Sequence, residues 1–240
     1  MNAIRSPALL HPEQIHPALW RGSQLAQARL NTISTGFDRL NQELPSQGWP
    51  LGTLIELTLE HPGIGEMGLL RPALARLECG RSIALVRPPY PPHFQCWANW
   101  QLDAHPLLWI NPKTTYDALW ASEQVLKANT CAALLCWASG MRPGALRRLH
   151  LAARQSDILF VLLRPQPEAG QASAAPLRLS LRPINQGLEI SIIKRHGPSC
   201  AHPVPVIFYP MRPKAAAHNP YVSVDQYLFA YTQPRPALST

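Results

Sequence analysis

The sequence predicts an α/β domain of three layers, a mostly parallel central sheet flanked by helices, with an antiparallel hairpin at one edge. Three observations lead there. Short apolar runs at 53–58, 82–86, 107–110, 131–137 and 158–163 are separated by helix-length segments, and such alternation builds βαβ units around a parallel sheet. The runs "AALLCWA" and "ILFVLL" lack polar alternation, as central strands covered by helices on both faces do. From residue 177 the pattern changes to strict alternation in "LRLSLR", a turn at 185–187, and "LEISIIKR", which reads as an antiparallel hairpin.

Taken in order, residues 1–31 read as a helical arm, with Leu19, Trp20, Leu25 and Leu30 at helical spacing and prolines confined to its start. Ser34, Thr35 and Gly36 then open a short segment, Gly48 and Pro50 mark a turn, and 53–58 is the first core strand. Segments 116–128 and 144–155 carry apolar residues at helical spacing, the second with Arg147, Arg148 and Arg154 around Leu146, Leu149 and Leu151, a basic face. A Pro- and Ala-rich loop spans 164–176, and a last strand at 204–209 extends the sheet, closing a core of 32–209. Residues 210–240 read as a flexible tail. Its Tyr221, Tyr227, Leu228, Phe229 and Tyr231 are many anchors for a solvated segment. They make it a candidate partner-docking element, the alternative being a strand or helix packed on the chain's own core.

With 240 residues the chain can bury a substantial core. Charged residues are 15% of it, against about 25% in ordinary soluble domains. The net charge of +8 suits nucleic acid or an acidic protein, and equally a basic solvated surface, because the arginines are dispersed. Five cysteines without a CxxC pair point to reduced thiols rather than disulfides or a zinc ribbon. The start of the chain has no signal pattern and no apolar run reaches membrane-spanning length, so the expected location is cytoplasmic. His93, His105, His150, His196 and His202 are scattered without metal-ligand spacing, and no nucleophile sits in a triad context.

One loop carries more information. A phosphate-binding loop places G-x-x-x-x-G-K-[ST] between a strand and a helix, so that backbone amides cradle phosphate, lysine neutralises charge and the hydroxyl holds magnesium. Here "LEHPGIGEMGLL" follows the strand, Gly63 and Gly65 remain, and Glu60, Glu66 and Met67 stand at the first glycine, lysine and hydroxyl positions. A carboxylate in place of the lysine turns attraction into repulsion worth on the order of a few kcal/mol. Pro72 is expected to bend or delay the helix that follows.

Around this loop, "STGFDRLNQELPSQGWPLGTLIELTLEHPGIGE", "HPLLWINPKTTYDALWASEQVL" and "LEISIIKRHGP" resemble, in order, segments of the RecA recombinase core. More narrowly, "ALWRGSQLA", "STGFDRLNQELP" and "PGIGEMGLLRPAL" resemble the ImuA family of bacterial translesion-synthesis accessory proteins. The resemblance implies a RecA-like fold over residues 32–209. Carried onto this chain, the acid of RecA's second nucleotide motif falls at Trp137, and its water-activating glutamate near Pro89. The nucleotide-sensing polar residue falls near Arg164, and the first DNA loop shortens to "SGMRPG". The implied protein is no enzyme and needs no cofactor or metal. It is a subunit of a mutagenic complex of the DNA-damage (SOS) response, with an ImuB-like Y-family polymerase homologue and RecA itself as partners. Arg142, Arg147, Arg148 and Arg164, near where RecA's DNA loops emerge, are the residues for single-stranded DNA, an exposed basic helix face being the alternative. Stacking by Trp97, Trp100, Trp109, Trp120 or Trp137 is weaker, since tryptophans in apolar stretches belong to cores, and Trp109 and Trp137 are expected there. Two other readings remain: a SulA-type inhibitor of the division protein FtsZ, and an ATPase completed by a neighbouring subunit.

Overall fold

The computed structural model describes residues 31–197 and 202–208. These belong to the compact unit Met1–Tyr209, and a second unit, Pro210–Thr240, lies outside them. The arm residues 1–30, Cys200 and the anchors Tyr221, Tyr227, Leu228, Phe229 and Tyr231 are therefore outside the described residues.

Five apolar strands pair in parallel: β3 (Thr53–Leu59), β4 (Ser82–Val86), β5 (Leu107–Ile110), β6 (Cys131–Trp137) and β7 (Leu159–Pro165), with β5 at the edge and the other four buried at the centre. β8 (Leu177–Ile184) adds parallel to β3. It turns back into β9 (Gly187–Lys194), and β10 (Val204–Ile207) pairs antiparallel with β9. The order is β10-β9-β8-β3-β7-β6-β4-β5, a mostly parallel sheet with the antiparallel hairpin at one edge, consistent with a RecA-like fold. Gly187 allows the last pairing: a Cβ there would lie 2.0 Å from the Val206 carbonyl oxygen.

Alternate residues of each central strand serve two cores. Ile55, Leu57, Ile83, Leu85, Leu135 and Val161 pack on one face with helices α1 (Asp38–Glu43), α2 (Glu66–Leu74) and α3 (Phe94–Asn99). Leu54, Ala84, Val86, Leu134, Phe160 and Leu162 pack on the other with α4 (Thr115–Ala128) and α5 (Pro143–Ala153). Each fully buried leucine contributes about 1.5–3 kcal/mol, so the period-2 pattern locks the register. α4 starts where the Thr114 hydroxyl accepts the Asp117 amide at 3.1 Å and stops at left-handed Asn129. α5 starts at Pro143, whose ring suits the first helical position, after extended Arg142.

The structure departs from expectation at several points. The turn expected at Gly48 and Pro50 includes a two-residue strand, β2 (Trp49–Pro50), antiparallel to β1 (Thr32–Ile33), because fully buried Trp49 anchors it to the core. Pro72 does not delay its helix: α2 begins directly after the loop at Glu66 and ends two residues past the proline. α3 and α1 are short elements without a readable period. Trp109 is 49% exposed rather than buried, because β5 is an edge strand. Trp137 is half-buried, packed against the larger core. Among the described residues no helix is long and apolar enough to cross a membrane.

Candidate functional site

β3 delivers the chain to the loop at the carboxyl end of the sheet, the end where parallel α/β sheets place ligands. Gly63 (φ 88°) and Gly65 (φ 121°) adopt left-handed backbone, which turns successive amides toward one side and makes an anion-binding concavity. That concavity is filled from within the chain. The Gly63 amide donates to Glu66 Oε1 at 2.8 Å and Oε2 at 3.1 Å, and the Gly65 amide donates to Oε2 at 3.2 Å. Glu66 is only 3% exposed and is the first residue of α2, where the helix dipole also favours a negative group. A Cβ at Gly65 would come 2.7 Å from the Phe208 ring, which stacks at 6.2 Å, tilted, against Phe37. The loop is thus clamped on one side by an aromatic pair and on the other by its own carboxylate.

Beside the loop lies a cavity of about 370 Å³ lined by Glu66, Met67, Pro89, Tyr90, Trp100 and Trp137, among others. The three positions read separately in the sequence as lost lysine, lost glutamate and lost acid, Glu66, Pro89 and Trp137, meet around this one space. Its walls are proline and aromatic rings. The size falls in the range of small-ligand or side-chain pockets, and the lining favours apolar groups over phosphate. Sequence reading passed over Tyr90, 67% exposed at the rim, for which the run "PPYPP" was the available signal. A second cavity, of about 300 Å³, shares Trp137 and is lined by Glu60, His61, Arg87, Ser139 and Arg164. Arg87 is held at φ 51°, and its Nη1 donates to Thr115 Oγ1 at 3.1 Å.

The arginines assigned to nucleic acid separate into two groups. Arg142, Arg147 and Arg148 are exposed on or just before α5, and Arg148 Nε lies 2.9 Å from Glu123 Oε2 on α4. Arg164 is a correction: its side chain is fully enclosed, Nη1 at 3.4 Å from Glu56 Oε2, Nη2 paired with Glu168 and donating to Gln171 Oε1 at 3.1 Å. No phosphate reaches it there. Glu56, also fully buried, accepts from Arg178 Nε at 3.0 Å and Nη2 at 2.8 Å, and from the Ser173 hydroxyl at 2.5 Å. Glu168 accepts the Gly140 amide at 2.7 Å. This ion network ties β3, β7 and β8 to the short "SGMRPG" loop. Charges interrupting apolar runs, Glu56 in "TLIELTL" and Arg178 in "LRLSLR", were its signal in the sequence.

Cys131 and Cys136 are buried, and burial pushes the Cys136 thiol up to about 11, which leaves it unreactive at neutral pH. Among the described residues no group of three or more His, Cys, Asp or Glu side chains is placed to hold a metal ion. No protein-family model matches the chain, and no curated protein matches it either.

Proposed function

We propose that this chain is a non-catalytic, RecA-like accessory subunit of an SOS-induced mutagenic translesion-synthesis complex, acting by contacts with an ImuB-like polymerase-family protein and with RecA. The resemblance to the ImuA family motivates the biological assignment. The observation that carries the non-catalytic part is Glu66. Its carboxylate already accepts the Gly63 and Gly65 amides, so a triphosphate approaching the loop meets occupied donors and a like charge. Pro89 and Trp137 offer neither a base nor a magnesium ligand in the adjoining cavity. An apolar cavity with an exposed tyrosine at its rim suits a partner's side chain better than a nucleotide.

Two measurements on the full-length chain test the two halves of this reading. Titration calorimetry with ATP and magnesium, beside RecA as positive control, is expected to show no binding up to millimolar nucleotide; micromolar binding overturns the non-catalytic half. Co-purification is expected with the ImuB-like protein or with RecA, and to weaken in Tyr90→Ala. Retention of neither partner overturns the accessory role.

A further inference from the structure

The opposite end of the sheet holds a third cavity, of about 480 Å³. It is lined by Thr53 at the start of β3, His150 on α5, Arg154 at the C-terminal cap of α5, Lys194 at the end of β9 and His196 just beyond. Among the described residues no aspartate or glutamate lines it. Some other arginines pair with carboxylates: Arg81 with Asp157 at 2.9 Å, Arg182 with Glu189 at 2.6 Å, and Arg195, next to Lys194, with Glu43 at 2.9 Å. Arg154 has no such partner among the described residues, and Lys194 reaches only the Ser173 carbonyl, at 3.4 Å.

Arg154, Lys194 and His196 are exposed, while Thr53 is buried and His150 half-buried; gathering cations around one concave space raises the local potential and attracts anions. His150 registers that potential. Its imidazole is held below its ordinary range, first by burial and then by Arg154 and Lys194. Its Nδ1 lies 3.4 Å from the hydroxyl of Thr53, which is 6% exposed. A guanidinium fork, an ammonium and two imidazoles approaching from different elements suit an anion that carries more than one charge and acceptors on several sides, as a phosphate does and a single carboxylate does not.

We propose that this cavity is a binding site for a phosphate group, held between Arg154 and Lys194 with His150 and His196 as further donors. The site is independent of the degenerate loop and of the function proposed above. The phosphate belongs either to a small phosphorylated molecule or to a nucleic-acid strand, and the recognition chemistry is the same.

The test is calorimetry of the full-length chain with inorganic pyrophosphate and, separately, with a single-stranded oligonucleotide. Saturable pyrophosphate binding is expected, weakened about tenfold or more in the double variant Arg154→Gln with Lys194→Gln and by an intermediate factor in Lys194→Gln alone. Arg147→Gln, exposed earlier on the same helix, is expected to leave it unchanged. An oligonucleotide that displaces pyrophosphate assigns the phosphate to nucleic acid, and one that does not assigns it to a small molecule. Absence of pyrophosphate binding at millimolar concentration, or equal weakening by Arg147→Gln, overturns the site.

Discussion

At the carboxyl end of the sheet, the loop amides of Gly63 and Gly65 meet the chain's own Glu66 carboxylate, and Arg164 lies among Glu56, Glu168 and Gln171. At the amino end, His150, Arg154, Lys194 and His196 line a cavity with no carboxylate among them. At the first end the loop amides are taken by Glu66 and Arg164 is enclosed beside two carboxylates, so neither is offered to an external anion. The second is left unbalanced, and an anion would relieve it. A glycine-bearing loop between a strand and a helix is thus a poor guide to where this molecule can hold a phosphate; the pairing of charges in three dimensions is the better one.

The sharpest way to break this contrast is at Glu56. Removing it as Glu56→Ala strands two buried arginines, and the expected loss is about 3–5 kcal/mol in urea-unfolding free energy. A loss below about 1 kcal/mol, the range of exposed ion pairs, would show that the network is not as sealed as its burial indicates.

Next in size is Glu66→Ala. The amides of exposed Gly63 and half-buried Gly65 lose their acceptor, at a cost of about 1 kcal/mol, and the emptied concavity becomes able to take an external anion. Added phosphate is therefore expected to raise the thermal midpoint of the Glu66→Ala, Arg154→Gln, Lys194→Gln triple variant more than that of the Arg154→Gln, Lys194→Gln double variant, whose loop still holds its own carboxylate. An unchanged unfolding midpoint for Glu66→Ala would remove the carboxyl-end half of the comparison.

A smaller effect is set by His150. Because its folded-state pKa is depressed, the unfolded chain binds the proton more readily, so this group's contribution is present above its ordinary value near 6.5 and is lost as pH falls below it. Asp157, held below the usual carboxylate range first by the Arg81 hydrogen bond, adds its own loss only on further acidification, below its ordinary 3.8. Between pH values of about 7 and 5, the midpoint should fall less in the double variant Arg154→Gln with Lys194→Gln than in the parent, since two of the charges opposing His150 protonation are gone. Equal falls would mean that burial alone holds the imidazole down.

Smallest, and opposite in sign to the first two, is Arg154→Gln by itself at neutral pH. Removing one of several unmatched cations is expected to leave stability unchanged or slightly raised, read as the urea midpoint. Clear destabilisation would reveal a partner for Arg154 and weaken the picture of an unbalanced amino end.

Much of the fold was legible in residue order because its signals are local. "AALLCWA" and "ILFVLL" could only be covered strands, the switch to alternation at 177 marked the hairpin, and the flanking helices 116–128 and 144–155 came within a residue or two of their observed bounds. Trp109 and Arg164 were misjudged for one shared reason. Whether a strand is an edge, and whether a charge at a strand's end faces solvent or a buried glutamate, depends on which strands lie beside it. Likewise Thr53, His150 and the Lys194–His196 stretch are far apart in sequence and share no spacing that could announce a common cavity.

By itself, then, the sequence determined the layered α/β architecture and the identity of the loop's side chains, Glu66 and Met67 directly after Gly65, since apolar periodicity and side-chain identity are properties of each segment alone. Only the tertiary structure decided that Glu66 fills the amides it was expected merely to repel phosphate from, that Glu66, Pro89 and Trp137 surround one apolar cavity, and that Arg154 and Lys194 converge with two imidazoles where no described carboxylate joins them. Those outcomes depend on distances between segments brought together by sheet order, and electrostatic pairing falls off with distance in space rather than along the chain.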